Sequence, residues 1–232
     1  IQYSNPDILV AQEVTGQNGV NFFLDKVLNE NGTTYSAGTF INGFDTDNAI
    51  FFKTSKFTFV SNTPIITDLR DISEFKLVHI LSGDTIRIYS VHLKASNTSP
   101  DEAQRALEVD TLRKYTNALP IGSNFIVCGD FNFYRSSESA YQKLLAVTPG
   151  VDGHFIDPIT MTGTWNNIAY SSYHTQSPRV RAFGGGSTGG LNDRFDLVLF
   201  SNAMMQNGGV SYVSGSTFPI GNDGNHYNDS IN

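Results

Sequence analysis

Residues 75–93, "FKLVHILSGDTIRIYSVHL", constrain the fold more than any other stretch. Ser82-Gly83-Asp84 supplies turn chemistry between two apolar arms, which predicts a hairpin. In the second arm Ile86, Ile88, Ser90 and His92 share one face, and Tyr89, Val91 and Leu93 share the other. A strand that is apolar on both faces is a central strand and needs a layer packed against each side.

The rest of the chain offers material for those layers. "DILVAQEV" at 7–14 is an apolar run closing on Gln12-Glu13, and "AIFFKTSKFTFV" at 49–60 reads as two short strands paired with each other. Ser99-Pro100-Asp101-Glu102 reads as a capping box with proline at the first helical position, opening a helix that runs to about Leu119. "NFIVCGDFN" follows as a strand, "ESAYQKLLAV" as a short helix and "RFDLVLFS" as a late strand. Hairpins mixed with isolated helices predict mixed, largely antiparallel sheets with helices outside, rather than a doubly wound parallel sheet. No linker-like break divides the 232 residues, so one domain is expected.

Composition narrows the partners. With 22 acidic and 15 basic residues the net charge is −7, which weighs against binding polyanions or membrane surfaces through a general basic field and leaves only a local basic patch. Lone Cys128 excludes an intrachain disulfide and, inside "FIVCGD", reads as a small core residue. No apolar stretch is long enough to span a bilayer, and no obligate protein partner is indicated. The glycine-rich "FGGGSTGG" at 183–190 lacks the strand-to-helix context and lysine of a phosphate loop and reads as a surface loop.

Several polar residues fall where apolar runs end. Glu13 closes one run, His92 another, Asp130 and Asn132 a third, and Asp196 opens "DLVLF". In antiparallel neighbours the start of one strand lies beside the end of the next, so these five can share one rim. Carboxylate and amide oxygens suit a hard cation such as Mg²⁺, Mn²⁺ or Ca²⁺, which polarises a phosphoryl oxygen. Each also has a plainer reading: Glu13 as a solvated strand end, Asp130 and Asn132 as a turn bonding its own backbone, His92 as an interior histidine, and Asp196 as the ion-pair partner of Arg194. His79, His154 and His174 carry only the plainer reading.

The order "QEV", "SVHLKAS", "GDFN", "DRFD" and a late histidine resembles the endonuclease/exonuclease/phosphatase superfamily over nearly the whole chain. "GTW" at 163–165 and "HTQSPR" at 174–179 are similar to secreted bacterial members, which implies a secreted or cell-envelope bacterial protein. The resemblance implies a four-layer α/β/β/α sandwich and metal-dependent hydrolysis of a phosphoester. Glu13 resembles the metal-binding glutamate, with Asp130 and Asn132 beside it as metal-binding and catalytic positions. His92 resembles the phosphate-stabilising histidine, Asp196 the acid of the "RxD" position and His226 the general base.

Two departures accompany it. Nothing before Gln12 leaves room for the strand that usually carries a metal-binding asparagine, and the terminal Ser-Asp-His reads Gly224-Asn225-His226, with Asp223 as a substitute carboxylate. A start at Ile1 and an end soon after His226 suggest trimmed ends. The expected activity is a phosphodiesterase acting on nucleic acid, with Arg179, Arg181 and Arg194 contacting substrate and Lys94 and Arg135 lining the groove. A lipid or inositol-phosphate phosphoesterase is the alternative, and a weakened phosphate-binding module is a third reading.

Overall fold

The structure is a computed structural model that describes residues 1, 3–32, 34–43, 45–180, 188–206 and 209–231. Strands β1 (Ile8–Val14), β2 (Tyr35–Ala37) and β3 (Asp47–Lys53) form a three-stranded antiparallel sheet in the order β1-β3-β2. Strands β4 (Phe57–Ile65), β5 (Ile72–His79), β6 (Thr85–His92), β7 (Phe125–Asp130), β8 (Phe155–Ile156) and β9 (Asp196–Ser201) form a six-stranded sheet in the order β4-β5-β6-β7-β9-β8. Its pairs are antiparallel except β6 with β7, which are joined by helix α2 (Ser99–Asn117) as a β-α-β unit.

Three apolar clusters fix the layering. Ile8 and Val10 of β1 meet Ile86, Ile88, Ile126 and Cys128 between the two sheets. Tyr89, Val91, Val127 and Leu199 face the opposite way, onto Val109 and Leu112 of α2 and Ala140 and Leu144 of α3 (Ser139–Leu145). Val20 of α1 (Gly16–Phe23) covers Ala49 and Phe51 on the outer face of the small sheet. The order is therefore helix, sheet, sheet, helix, and β6 is buried on both faces as its alternation requires. Burial in this core pushes the Cys128 thiol up to about 12, consistent with an inert packing residue.

Two local expectations shift. The strands β3 and β4 do not pair with each other: β3 bonds β1 and β2, whereas β4 bonds β5. The turn between Lys53 and Lys56 carries the chain from one sheet to the other, so the runs meet face to face, with Phe52 stacked on Phe59 at 6.1 Å. The N-cap of α2 is Thr98, one residue before the expected start; Asp101 accepts its backbone N–H at 3.2 Å.

Gly129 makes the close approach of β7 to β6 possible. Its φ is +131°, and a Cβ there would lie 2.1 Å from the Val91 carbonyl oxygen. Gly129→Ala is expected to cost about 3 kcal/mol or more, read as a fall in the urea midpoint, because neither the backbone nor the neighbouring strand can move aside.

Candidate active site

Three strand ends form one row. His92 on β6 lies beside Asp130 on β7, which lies beside Asp196 on β9. Lateral neighbours in a sheet point to the same side, so all three side chains face the small sheet. There the pairing of β1 with β3 slips between Ala11 and Val14, and Glu13 adopts φ +60°. This irregularity turns an exposed carboxylate toward the row, with Oε1 of Glu13 3.8 Å from Nε2 of His92. Oδ2 of Asp130 lies 3.7 Å from the same nitrogen.

Below this rim a polar bridge fixes the two sheets against each other. Gln12 of β1 donates to the Ser90 hydroxyl at 3.0 Å, and that hydroxyl donates to Asn48 of β3 at 3.0 Å. Each of these buried groups thereby meets a partner, and the geometry of the rim rests on a constrained interface.

The charges are concentrated. Burial, with Asp196 beside it, pushes the Asp130 carboxyl up to about 7. Asp196 is open to solvent at the first residue of β9, yet the surrounding atoms displace enough of its water to raise it to about 6, although Thr175 opposes the shift with a hydrogen bond. His92 moves downward because it is buried and because Arg70 stands nearby; Glu13 and Asp45 oppose that shift. Several groups that titrate near neutrality in one cleft mark a candidate for chemistry.

A sequence model of the endonuclease/exonuclease/phosphatase family matches residues 1–216. The chain belongs to this family. A search of the curated proteins finds no match. Among solved structures, truncated TDP2 of Caenorhabditis elegans aligns with TM-score 0.56 and 18% identity, over 86% of this chain and 72% of its own. TDP2 of D. rerio, solved with a single-strand DNA product, aligns with TM-score 0.59 and 13% identity, over 94% and 83%. A mannosyl-6-phosphatase of Bacteroides thetaiotaomicron aligns with TM-score 0.52 and 18% identity, over 87% and 73%. Identities this low establish the fold alone.

The other positions suggested by resemblance to the family are distributed unevenly. Asn132 is buried at φ +53°; its N–H donates to Oδ1 of Asp130 at 3.0 Å and its side-chain amide to the Leu93 carbonyl at 3.2 Å. The turn reading thus describes its local geometry, and the turn holds it against the row. His226 lies 3.6 Å from Asp223 and, among the described residues, within 4 Å of no other carboxylate. Its tail is moored by Asn222, which donates to the carbonyls of Ser171 and His174, next to the Thr175 that caps Asp196.

The basic residues change the expected picture. Arg194 is a correction: it is 2% exposed and bonds Asp157 twice, at 2.8 and 3.0 Å, under Trp165, so its guanidinium faces the core and not a substrate. It is equally not the partner of Asp196. Lys94 pairs with Asp101 at 2.9 Å, and Arg135 with Glu102 at 2.6 Å. Arg179 is half-buried, with its carbonyl accepting from Gly190. Arg181 and most of the glycine-rich loop lie outside the described residues.

Sequence reading missed Arg70, which pairs with Asp45 at 3.0 Å and acts electrostatically on His92. Its only signal was a basic residue in "TDLRD" immediately before a strand.

Among the described residues no three His, Cys, Asp or Glu side chains form a ready-made metal cage. The donor chemistry nevertheless fits a hard cation. Glu13, Asp130 and Asp196 concentrate carboxylates, the last two with raised pKa, and a cation that keeps part of its water shell needs only one or two of them.

Proposed function

We propose that this chain hydrolyses phosphodiesters, with nucleic acid as the substrate class and Mg²⁺ or Mn²⁺ as the cofactor. The row His92–Asp130–Asp196, with Glu13 across from it, carries the reading. Glu13 and Asp130 would hold the cation, with Asn132 beside them. When bound, the cation polarises the phosphoryl oxygen and screens the negative charge that repels an attacking water.

The side chains supply the rest. His92, held neutral near pH 7 by burial, presents Nε2 toward the phosphate as a hydrogen-bond donor when Nδ1 is unprotonated. Asp130 and Asn132 orient the water through their fixed turn. His226 takes its proton, oriented by Asp223 at 3.6 Å. This assignment requires phosphate and water to lie between His226 and Asp130.

A panel of plasmid DNA, RNA, lipid and inositol phosphoesters, and small phosphomonoesters, assayed with Mg²⁺, Mn²⁺ and chelator, tests the reading. Chelator is expected to abolish turnover and to lower the thermal midpoint, and Mg²⁺ to restore both. Full activity in chelator overturns the metal assignment. Turnover of a lipid or inositol phosphoester with no cleavage of nucleic acid overturns the substrate class.

A further inference from the structure

The segment that follows His92 keeps one ladder bond to β7 at Leu93 and is held from there on by side chains. The Leu93 N–H donates to the Asp130 backbone carbonyl at 2.9 Å, and the Leu93 carbonyl accepts from the side-chain amide of Asn132 at 3.2 Å. Beyond it the chain leaves the sheet, and Ser96 adopts φ +78°, a left-handed conformation that costs a non-glycine residue energy. Two residues of α2 grip this stretch from beneath. Oε2 of Glu108 accepts the Lys94 N–H at 3.1 Å, and Nη1 of Arg105 donates to the Lys94 and Ser96 carbonyls at 2.7 and 2.6 Å. Arg105 is itself paired with Glu138 at 2.5 Å, with both side chains fully buried.

Charged groups this deep are not surface solvation. Glu108 is 1% exposed, and its second oxygen, Oε1, is buried without a hydrogen-bond partner among the described residues. Removing a carboxylate from water is costly, so an apolar residue on this helix face would be the stabilising choice. We propose that Glu108 is a positioning residue for His92: by gripping the Lys94 N–H it fixes the exit of β6, and so the distance of His92 from Glu13 and Asp130.

The groups facing Glu108 are Lys94 and Arg105, which it touches or adjoins, and Arg70 from the segment before β5. Arg70 also acts on His92, and its Nε is buried without a partner among the described residues, so Glu108 and His92 share one cationic neighbour. Burial holds the Glu108 carboxyl up to about 7 despite those cations. A recess of about 120 Å³ lined by Thr67, Asp68, Gln104, Leu107 and Thr111 opens onto Glu108 and gives protons a route from outside. The grip therefore strengthens as pH rises through about 7, since a carboxylate accepts a stronger hydrogen bond than a carboxylic acid.

The test has one reading that needs no turnover. In ¹⁵N-labelled protein the Lys94 amide proton is expected to shift with pH, with a midpoint near 7, as its acceptor ionises. E108Q keeps an acceptor and is expected to abolish that inflection. A Lys94 amide proton whose shift at pH 8 is the same in wild type and E108Q shows that Glu108 does not grip it and overturns the proposal whatever the protein hydrolyses.

The second reading rests on the hydrolase function proposed above. E108L is expected to lower kcat about 10-fold or more with little change in KM, because small misplacements of a reacting group are costly. E108Q is expected to recover most of that loss at pH 8. Equal losses in both variants, or none in E108L, overturn the positioning role. Wild type that turns over no phosphoester defeats the hydrolase reading and leaves the amide shift to decide this one.

Discussion

Asp130→Asn is expected to reduce turnover by about 10²- to 10⁴-fold and, at the same time, to make the protein more stable above pH 7. The loss of turnover follows from position. Asp130 sits at the middle of the row, with Oδ1 holding the Asn132 turn and Oδ2 facing His92. The amide keeps the volume and can preserve the turn through its oxygen. It cannot supply a charge for a cation or for the orientation of water.

The gain in stability follows from the shift. A carboxyl held at about 7 in the folded state, against an ordinary 3.8, binds more protons folded than unfolded across that interval. Stability therefore falls as pH rises from about 4 to about 7, and the cost persists above it. Asp196, held at about 6 but exposed at the start of β9, adds a smaller fall over a shorter interval because solvent screens it. The substituted amide has no proton to lose, so the difference between urea midpoints at pH 5 and pH 8, measured with chelator, should shrink in D130N. A variant that loses both activity and stability would instead make Asp130 a structural residue.

Legibility followed the kind of signal each element carries. β6 could be read because two-face alternation has no other economical meaning, and the "GDFN" strand exit because glycine, acid and amide follow an apolar run abruptly. The rule that strand starts lie beside strand ends in antiparallel pairs accounts for Asp130 beside Asp196, whereas His92 lies beside Asp130 because β6 and β7 run parallel and end together. The pairing of β3 and β4 was misread because two apolar runs joined by a short turn look like a hairpin. Their residues specify a shared core, and only the alternatives offered by β1 and β5 decide the hydrogen bonds.

Buried charge was the hardest part to read. On α2, Leu107 is 56% exposed while Arg105 and Glu108 point inward, the reverse of what hydrophobicity predicts. Their partners are backbone groups of the loop after β6 and a side chain next to α3, none of which local periodicity can reveal. Arg70 has the same difficulty, since its neighbours Asp45 and His92 come from distant parts of the chain.

Arg194 illustrates how this misreading can be tested, because the two roles predict opposite results. A substrate-contacting arginine replaced by alanine would raise KM and leave the fold intact. The observed side chain lies in the core, bonded twice to Asp157 and 5.7 Å from the Trp165 ring. Asp157 also accepts from the Tyr141 hydroxyl at 2.8 Å and the Ile159 N–H at 2.9 Å, so it remains in place when the arginine is removed. Arg194→Ala would therefore strand a buried carboxylate and open a cavity beside Trp165, at an expected cost of about 3–5 kcal/mol. The double variant Arg194→Met with Asp157→Leu should recover part of the loss, since the stranded charge is gone; the rest remains because Tyr141 and Ile159 lose their acceptor. Urea unfolding of the three proteins measures this directly, and KM, determined on whatever fraction stays folded, should not change. A rise in KM with an unchanged urea midpoint would return Arg194 to the substrate.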